Sequence, residues 1–292
     1  MPNIAMQRSS WRNCQRWMRL TPSNTLFSLF LCLLFGASCT TRTIFRSPYT
    51  NQQNTYHVMP TLSDEKKTAH YLTASATLGG SNDWLADAIY IFQGKYHVAG
   101  QLGKNLQGYA GLHGSVGSYD ISGGAYDNNV KYDPVTGEPI YFDGPTGNKF
   151  TASVGSTAGL AVVIPLGTRV EWRVFGLETS FGREFGDYYK TRLALPDSVV
   201  EISDRRNTHL TLGGFTEWIF KPRNPDVRLG YQLAIGSSLH RLLNYEQFTY
   251  NNFTPFYINN TFHFTVRRTT GFVRLSAGNF YGAVQSGVSF RL

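Results

Sequence analysis

The chain has only three cysteines in 292 residues, Cys14, Cys32 and Cys39, and none follows the last. A body without thiols can build neither a disulfide framework nor a cysteine zinc site. Charge is also sparse, with Asp, Glu, Lys and Arg together making 16%. The formal net charge is +8, but Arg8, Arg12, Arg16 and Arg19 belong to a leader that contains no acid. Without those four, 23 basic residues face 19 acidic ones, a balance of +4. So small a surplus gives no electrostatic case for a nucleic-acid partner. The seven histidines are scattered and no Gly-rich loop opens a helix. Zinc and nucleotide sites therefore lack support, and no cofactor is expected. After residue 40 no apolar run approaches the roughly 18 to 20 residues of a membrane helix.

What the chain does have is glycine, 29 residues of it, with 17 Tyr and 20 Phe. That composition favours sheets over helices. The leader reads as an export signal: basic residues, an apolar stretch over 26–35, then Gly36, Ala37 and Ser38. Domain boundaries follow: a removed signal peptide over 1–38, a polar tether over 39–68, and a β-domain over 69–292.

The β-domain is read from alternation. In "LQGYAGLHGSVGSY" the even positions Leu106, Ala110, Leu112 and Val116 are apolar, and the odd ones include Gln107, His113 and Ser115. In "DVRLGYQLAIGS" the odd positions Val227, Leu229, Tyr231, Leu233 and Ile235 are apolar. "TFHFTVRR" sets Phe262, Phe264 and Val266 against His263, Thr265 and Arg267. Period two means strands with one apolar and one polar or small face. Similar runs near 69–79, 88–100, 151–164, 169–181, 208–220, 271–277 and 283–292 bring the expected count to about ten strands. At about 3.3 Å per residue, nine to eleven tilted residues are enough to cross a bilayer.

Connections alternate as well. The short stretches "QLGKN", "PLGT", "KPRNPD" and "RTT" follow even strands, whereas 120–149, 182–207 and 241–259 follow odd ones. Short turns at one end and long loops at the other are the asymmetry of membrane β-barrels. An even strand number returns both ends of the barrel to the short-turn side. In "GLETSFGREFGDYYKTR", Glu178 would share a face with Val170, Trp172 and Val174 unless a β-bulge near Gly176 returned it to the polar side. Arg183, Glu184 and Arg192 are then expected to form a charged cluster at the loop base.

With its alternating last strand "AVQSGVSFRL" the chain resembles small bacterial outer-membrane β-barrel proteins, although it ends on Leu292 where that family typically ends on Phe. Small residues followed by Cys39 likewise resemble the lipobox of bacterial lipoproteins, with Gly36 where the pattern has Leu. The resemblances imply an all-β antiparallel membrane barrel in the bacterial outer membrane, with outer-membrane lipid as a partner and palmitate-type acylation at Cys39. The polar face is then a lumen, and Lys95, Glu171, Arg173, Glu217, Arg228, Arg267 and Arg274 are its expected structural charge cluster. Tyr71, Tyr90, Tyr119, Trp218, Phe220 and Tyr281 are expected at strand ends as membrane-interface aromatics.

Three functions stay open. The leading one is a non-enzymatic envelope protein that meets other envelope proteins or surface ligands through loops 120–149, 182–207 and 241–259. The second is a barrel hydrolase. His113 and Ser115 on one face faintly resemble a His–x–Ser arrangement, and Asp83 with Asp87, and Asp204 with His209, lie where a rim protease would hold its paired carboxylates and its Asp–His couple. The third is a soluble periplasmic lipoprotein barrel binding an apolar ligand. Asp127, Asp133, Glu138 and Asp143 offer oxygens for Ca²⁺ but lack the alternating order of an EF-hand, and turn chemistry explains them. No metal site is expected.

Overall fold

A computed structural model describes residues 44–50, 56–62, 64, 68–81, 86–122, 131–132, 136–137, 139–140, 144–195, 202–224, 226–239, 255–279 and 281–292. The expected signal peptide and Cys39 lie outside the described residues.

Ten antiparallel strands close into one barrel: β2 (Thr68–Ser81), β3 (Asp87–Gln101), β4 (Leu106–Ile121), β7 (Gly147–Leu166), β8 (Val170–Phe185), β10 (Thr208–Phe220), β11 (Val227–Ser238), β12 (Phe256–Val266), β13 (Thr269–Gly278) and β14 (Tyr281–Arg291). Each pairs with its neighbours in sequence, and β14 pairs with β2 from Tyr281↔Ser81 to Arg291↔Tyr71. Closure leaves no edge strand to be protected. Two short pairs lie outside the barrel wall. β1 (Ile44–Phe45) runs parallel to β9 (Ile202–Ser203), and β5 (Lys131–Tyr132) pairs with β6 (Pro139–Ile140). Among the described residues one helix, α1 (Asp187–Ala194), follows β8.

The apolar rows face outward. Leu229 and Ile235 are about half exposed, whereas Gln232 and Ala234 between them are buried. Phe92, Leu112, Val154, Phe181, Phe262 and Val288 are also exposed, while Gln93, His113, Ser153, Ser180, His263 and Ser289 are buried on the inward face. The oily side chains of these rows do not meet one another in a closed interior. That overturns the soluble-pouch alternative.

The bulge lies where parity demanded it. Val162 pairs with Phe175 and Val163 with Arg173, so Val174 is the extra residue. Before it the inward residues are Glu171 and Arg173; after it they are Glu178, Ser180 and Glu184. Arg183 leaves the expected cluster: it is exposed, with its guanidinium over the outward Phe185 ring. Arg267 is a second correction. It sits in the β12–β13 turn at φ 53, largely exposed and facing Asp226, because the strand ends one residue earlier.

Inward rings explain part of the glycine content. Tyr109 pairs in register with Gly159, and His263 with Gly230. A Cβ on Gly159 would stand 2.5 Å from the Tyr109 ring, and one on Gly230 would stand 2.0 Å from His263. Each ring lies across the bare backbone of the neighbouring strand. A larger residue at either glycine would displace it.

Aromatic residues form an outward row near the short-turn end, though not the expected set. Trp172, Trp218 and Tyr231 stack on adjacent strands at 6.0 and 6.1 Å, and Phe262 continues the row at 5.0 Å. Tyr90 and Phe220 also face outward. Tyr71, Tyr119 and Tyr281 do not: they are buried in the lumen, because their parity matches the inward row of their strands.

Candidate functional site

The lumen is occupied by the chain's own N-terminal segment. Residues 45–50 and 56–61 are buried, and so is Asp64. The expected tether over 39–68 is thus corrected, because its described part lies inside the barrel wall.

Near the short-turn end the wall grips this segment mainly by its backbone. Lys95 Nζ donates to the Tyr56 carbonyl at 2.7 Å, and His97 Nε2 lies 2.9 Å from the Val58 carbonyl. Gln107 Nε2 donates to the Pro60 carbonyl at 2.8 Å. Arg173 Nη2 reaches the carbonyls of both Met59 and Pro60 at 3.2 Å. In return, Glu171 accepts the Leu62 N–H at 2.9 Å. An extended segment inside a barrel cannot join the sheet ladder, so side chains of the wall must satisfy its buried backbone groups.

Arg173 is the hub. Its Nη1 lies 2.5 Å from Glu217 with both side chains fully buried, and its Nε donates to Gln107 Oε1 at 3.0 Å. Glu217 also accepts the Tyr56 hydroxyl at 2.8 Å, and His263 Nε2 stands 2.9 Å away. Charge-assisted bonds of this kind are the strong ones, and their removal leaves a buried charge unpaired. Ring contacts fill the remaining space. Tyr56 stacks on His263 at 4.7 Å and His57 on Tyr109 at 4.2 Å.

At the short-turn rim, Asp64 is clamped by Arg228 and, at 3.0 Å, by Arg291. Its carboxylate also takes the Thr61 N–H at 3.1 Å. Burial pushes the Asp64 carboxyl up, but the hydrogen bond and charge of Arg228, the Thr61 amide and Arg291 together hold it below its ordinary 3.8.

The other end is apolar. Phe45, Tyr49, Ile89, Ile91, Tyr119, Ile121, Tyr188, Leu195 and Tyr281 form one buried cluster. Tyr188 from α1 stacks on Tyr119 at 3.8 Å, and its hydroxyl donates to the Arg46 carbonyl at 3.0 Å. The Arg46 guanidinium lies 5.4 Å from the Tyr281 ring, and burial lowers its pKa to about 10, which leaves it charged at neutral pH. Beneath the helix, Arg192 pairs with Glu184 at 2.5 Å and donates to the Asp204 carbonyl at 2.8 Å, the loop-base contact expected of that pair.

The expected lumen charges divide accordingly. Arg173, Glu171 and Glu217 join one network, and Lys95 sits deeper along the same segment. Arg274 lies apart, bonded to Thr261 at 2.9 Å and Gln232 at 3.4 Å. Arg228 marks the rim. Tyr56, Gln107 and Asp64 are network members that alternation does not single out.

Among the described residues, the catalytic candidates Ser115, Asp87, Asp204 and His209 face structural partners and His113 does not. Ser115 Oγ shares a 2.6 Å hydrogen bond with Ser153, and neither His113 ring nitrogen bonds to any described residue. Asp87 accepts from the Tyr119 hydroxyl at 2.8 Å and the Ser122 N–H at 2.9 Å. His209 stands 3.3 Å from Glu184, and Asp204 faces Arg192 and accepts the Arg206 N–H. Asp83, and the calcium candidates Asp127, Asp133, Glu138 and Asp143, lie outside the described residues.

No family model matches the sequence, and no curated protein matches it. Among solved structures, the translocator domain of the autotransporter NalP from Neisseria meningitidis is similar, at 14% identity and TM-score 0.37 over 79% of this chain and 90% of that one. Neisserial surface protein A gives 12% and 0.32 over 78% and 98%. The β domain of the Bordetella autotransporter BrkA gives 7% and 0.41 over 78% and 100%. Each is a likeness of barrel to barrel.

Proposed function

We propose that this chain is a non-enzymatic bacterial outer-membrane barrel that closes its own lumen and works through its long-loop face. The outward apolar rows and the Trp172–Trp218–Tyr231 aromatic row support membrane placement, since such rings favour the bilayer interface. Export through the 1–38 leader and acylation at Cys39 complete this reading. The intact mass of the mature chain tests both, and an unmodified N-terminus would sink the acylation.

One observation carries the functional reading: the wall grips residues 56–62 through the ionic and hydrogen-bonding groups that an open channel would present to solute. Such a lumen passes nothing while the segment is in place. Ser115, Asp87 and Asp204 are engaged in structural contacts, which favours loops 120–149, 182–207 and 241–259 as the working surface.

Conductance across planar bilayers tests this. The full chain should show no steady current, and a variant lacking residues 44–64 should open. Steady current through the full chain would overturn the proposal.

A further inference from the structure

The direction of the threaded segment is fixed at both of its ends. At one end, β1 pairs with β9 in the connection between β8 and β10, and the Asp204 N–H donates to the Phe45 carbonyl at 2.7 Å. That connection belongs to the long-loop face. At the other end, Asp64 is held by Arg228, the second residue of β11, and by Arg291, the last of β14, both at the short-turn face. Phe45 therefore lies at the long-loop end of the lumen and Asp64 at the short-turn end, where Thr68 starts β2.

We infer that the plugging segment enters the lumen from the outer side of the membrane, with Ile44 and Phe45 at the cell-surface end and Asp64 at the periplasmic end. This deepens the membrane reading above and rests on it. With short turns in the periplasm, the long-loop face is the outer one. The entrance is sealed around the chain: Phe45 and Tyr49 pack with Tyr119, Tyr188, Leu195 and Tyr281.

Epitopes placed at the two ends test the direction. One is inserted between Thr43 and Ile44, and in a second chain the same epitope goes between Arg223 and Asn224. Antibody should stain intact cells carrying the first, and should stain the second only after the outer membrane is permeabilised. Staining of the first only after permeabilisation, or of both on intact cells, overturns the inference. The pair Thr43→Cys and Arg223→Cys, read with a membrane-impermeant thiol reagent, repeats the comparison with less perturbation. Loss of the protein from carbonate-washed membranes would instead defeat the membrane reading, whatever the direction of threading.

Discussion

The two halves of the threaded segment are held by opposite physics. Residues 45–50 enter an apolar cluster, with Phe45 and Tyr49 among isoleucines and tyrosines of the wall and α1. Residues 56–64 are held by ionic and hydrogen-bonding side chains of the wall, with Arg173, Gln107 and Lys95 on backbone carbonyls and two arginines on Asp64. Apolar packing is non-directional; it excludes water but tolerates small slips along the chain. Hydrogen bonds to named carbonyls fix which residue lies at which level. The outer half therefore seals, and the inner half sets register.

Breaking the inner half should have the largest effect. Arg173→Ala leaves Glu217 buried beside Tyr56 and His263 without its cation, a loss of roughly 3–5 kcal/mol. The thermal midpoint in detergent should fall steeply. Adding Glu217→Gln should return part of the loss, because the stranded charge goes with it. If the double variant is no better than the single, buried charge is not what makes Arg173 costly to remove. The sealing half should respond less. Phe45→Ala removes a fully buried ring at a loop-capped end that can partly collapse, so about 3 kcal/mol is expected, at the low end for Phe→Ala. Its distinguishing sign is transient conductance without loss of register. A silent bilayer recording for Phe45→Ala beside a leaking one for Arg173→Ala would reverse the roles given to the two halves.

The barrel wall was far more legible in the sequence than its contents. Alternation gives all ten strands, the turn asymmetry and the inward placement of Lys95, Glu171, Arg173 and Glu217. Even the bulge follows from the parity of Glu178 against Trp172. Arg267 misleads because "TFHFTVRR" continues the period for one residue into a turn of positive φ. Tyr71, Tyr119 and Tyr281 mislead because position near a strand end does not say which face a ring takes; parity does. The threaded segment left almost no trace. Its contacts use backbone carbonyls, which every residue has, so neither period nor composition marks them. The aromatic and apolar "YHVM" at 56–59, set within polar sequence, was the one local hint.

The smallest expected effect lies at the rim, and pH can read it. Asp64→Asn keeps the shape of the side chain but weakens its pairing with Arg228 and Arg291, at a cost of roughly 1–2 kcal/mol near neutral pH. Because the folded Asp64 carboxyl titrates below its ordinary 3.8, its contribution is fully present above that value and disappears as pH falls through the lower, folded one. Wild type and Asp64→Asn should therefore differ in thermal midpoint at pH 7 and converge in strong acid. Arg173→Ala should be less stable than wild type at pH 7 by a larger margin than Asp64→Asn, since it strands a fully buried carboxylate. A difference between wild type and Asp64→Asn that persists unchanged into strong acid would mean that the rim clamp does not act through the carboxylate charge. The grip on the segment would then lie wholly with Arg173 and its neighbours deeper in the lumen.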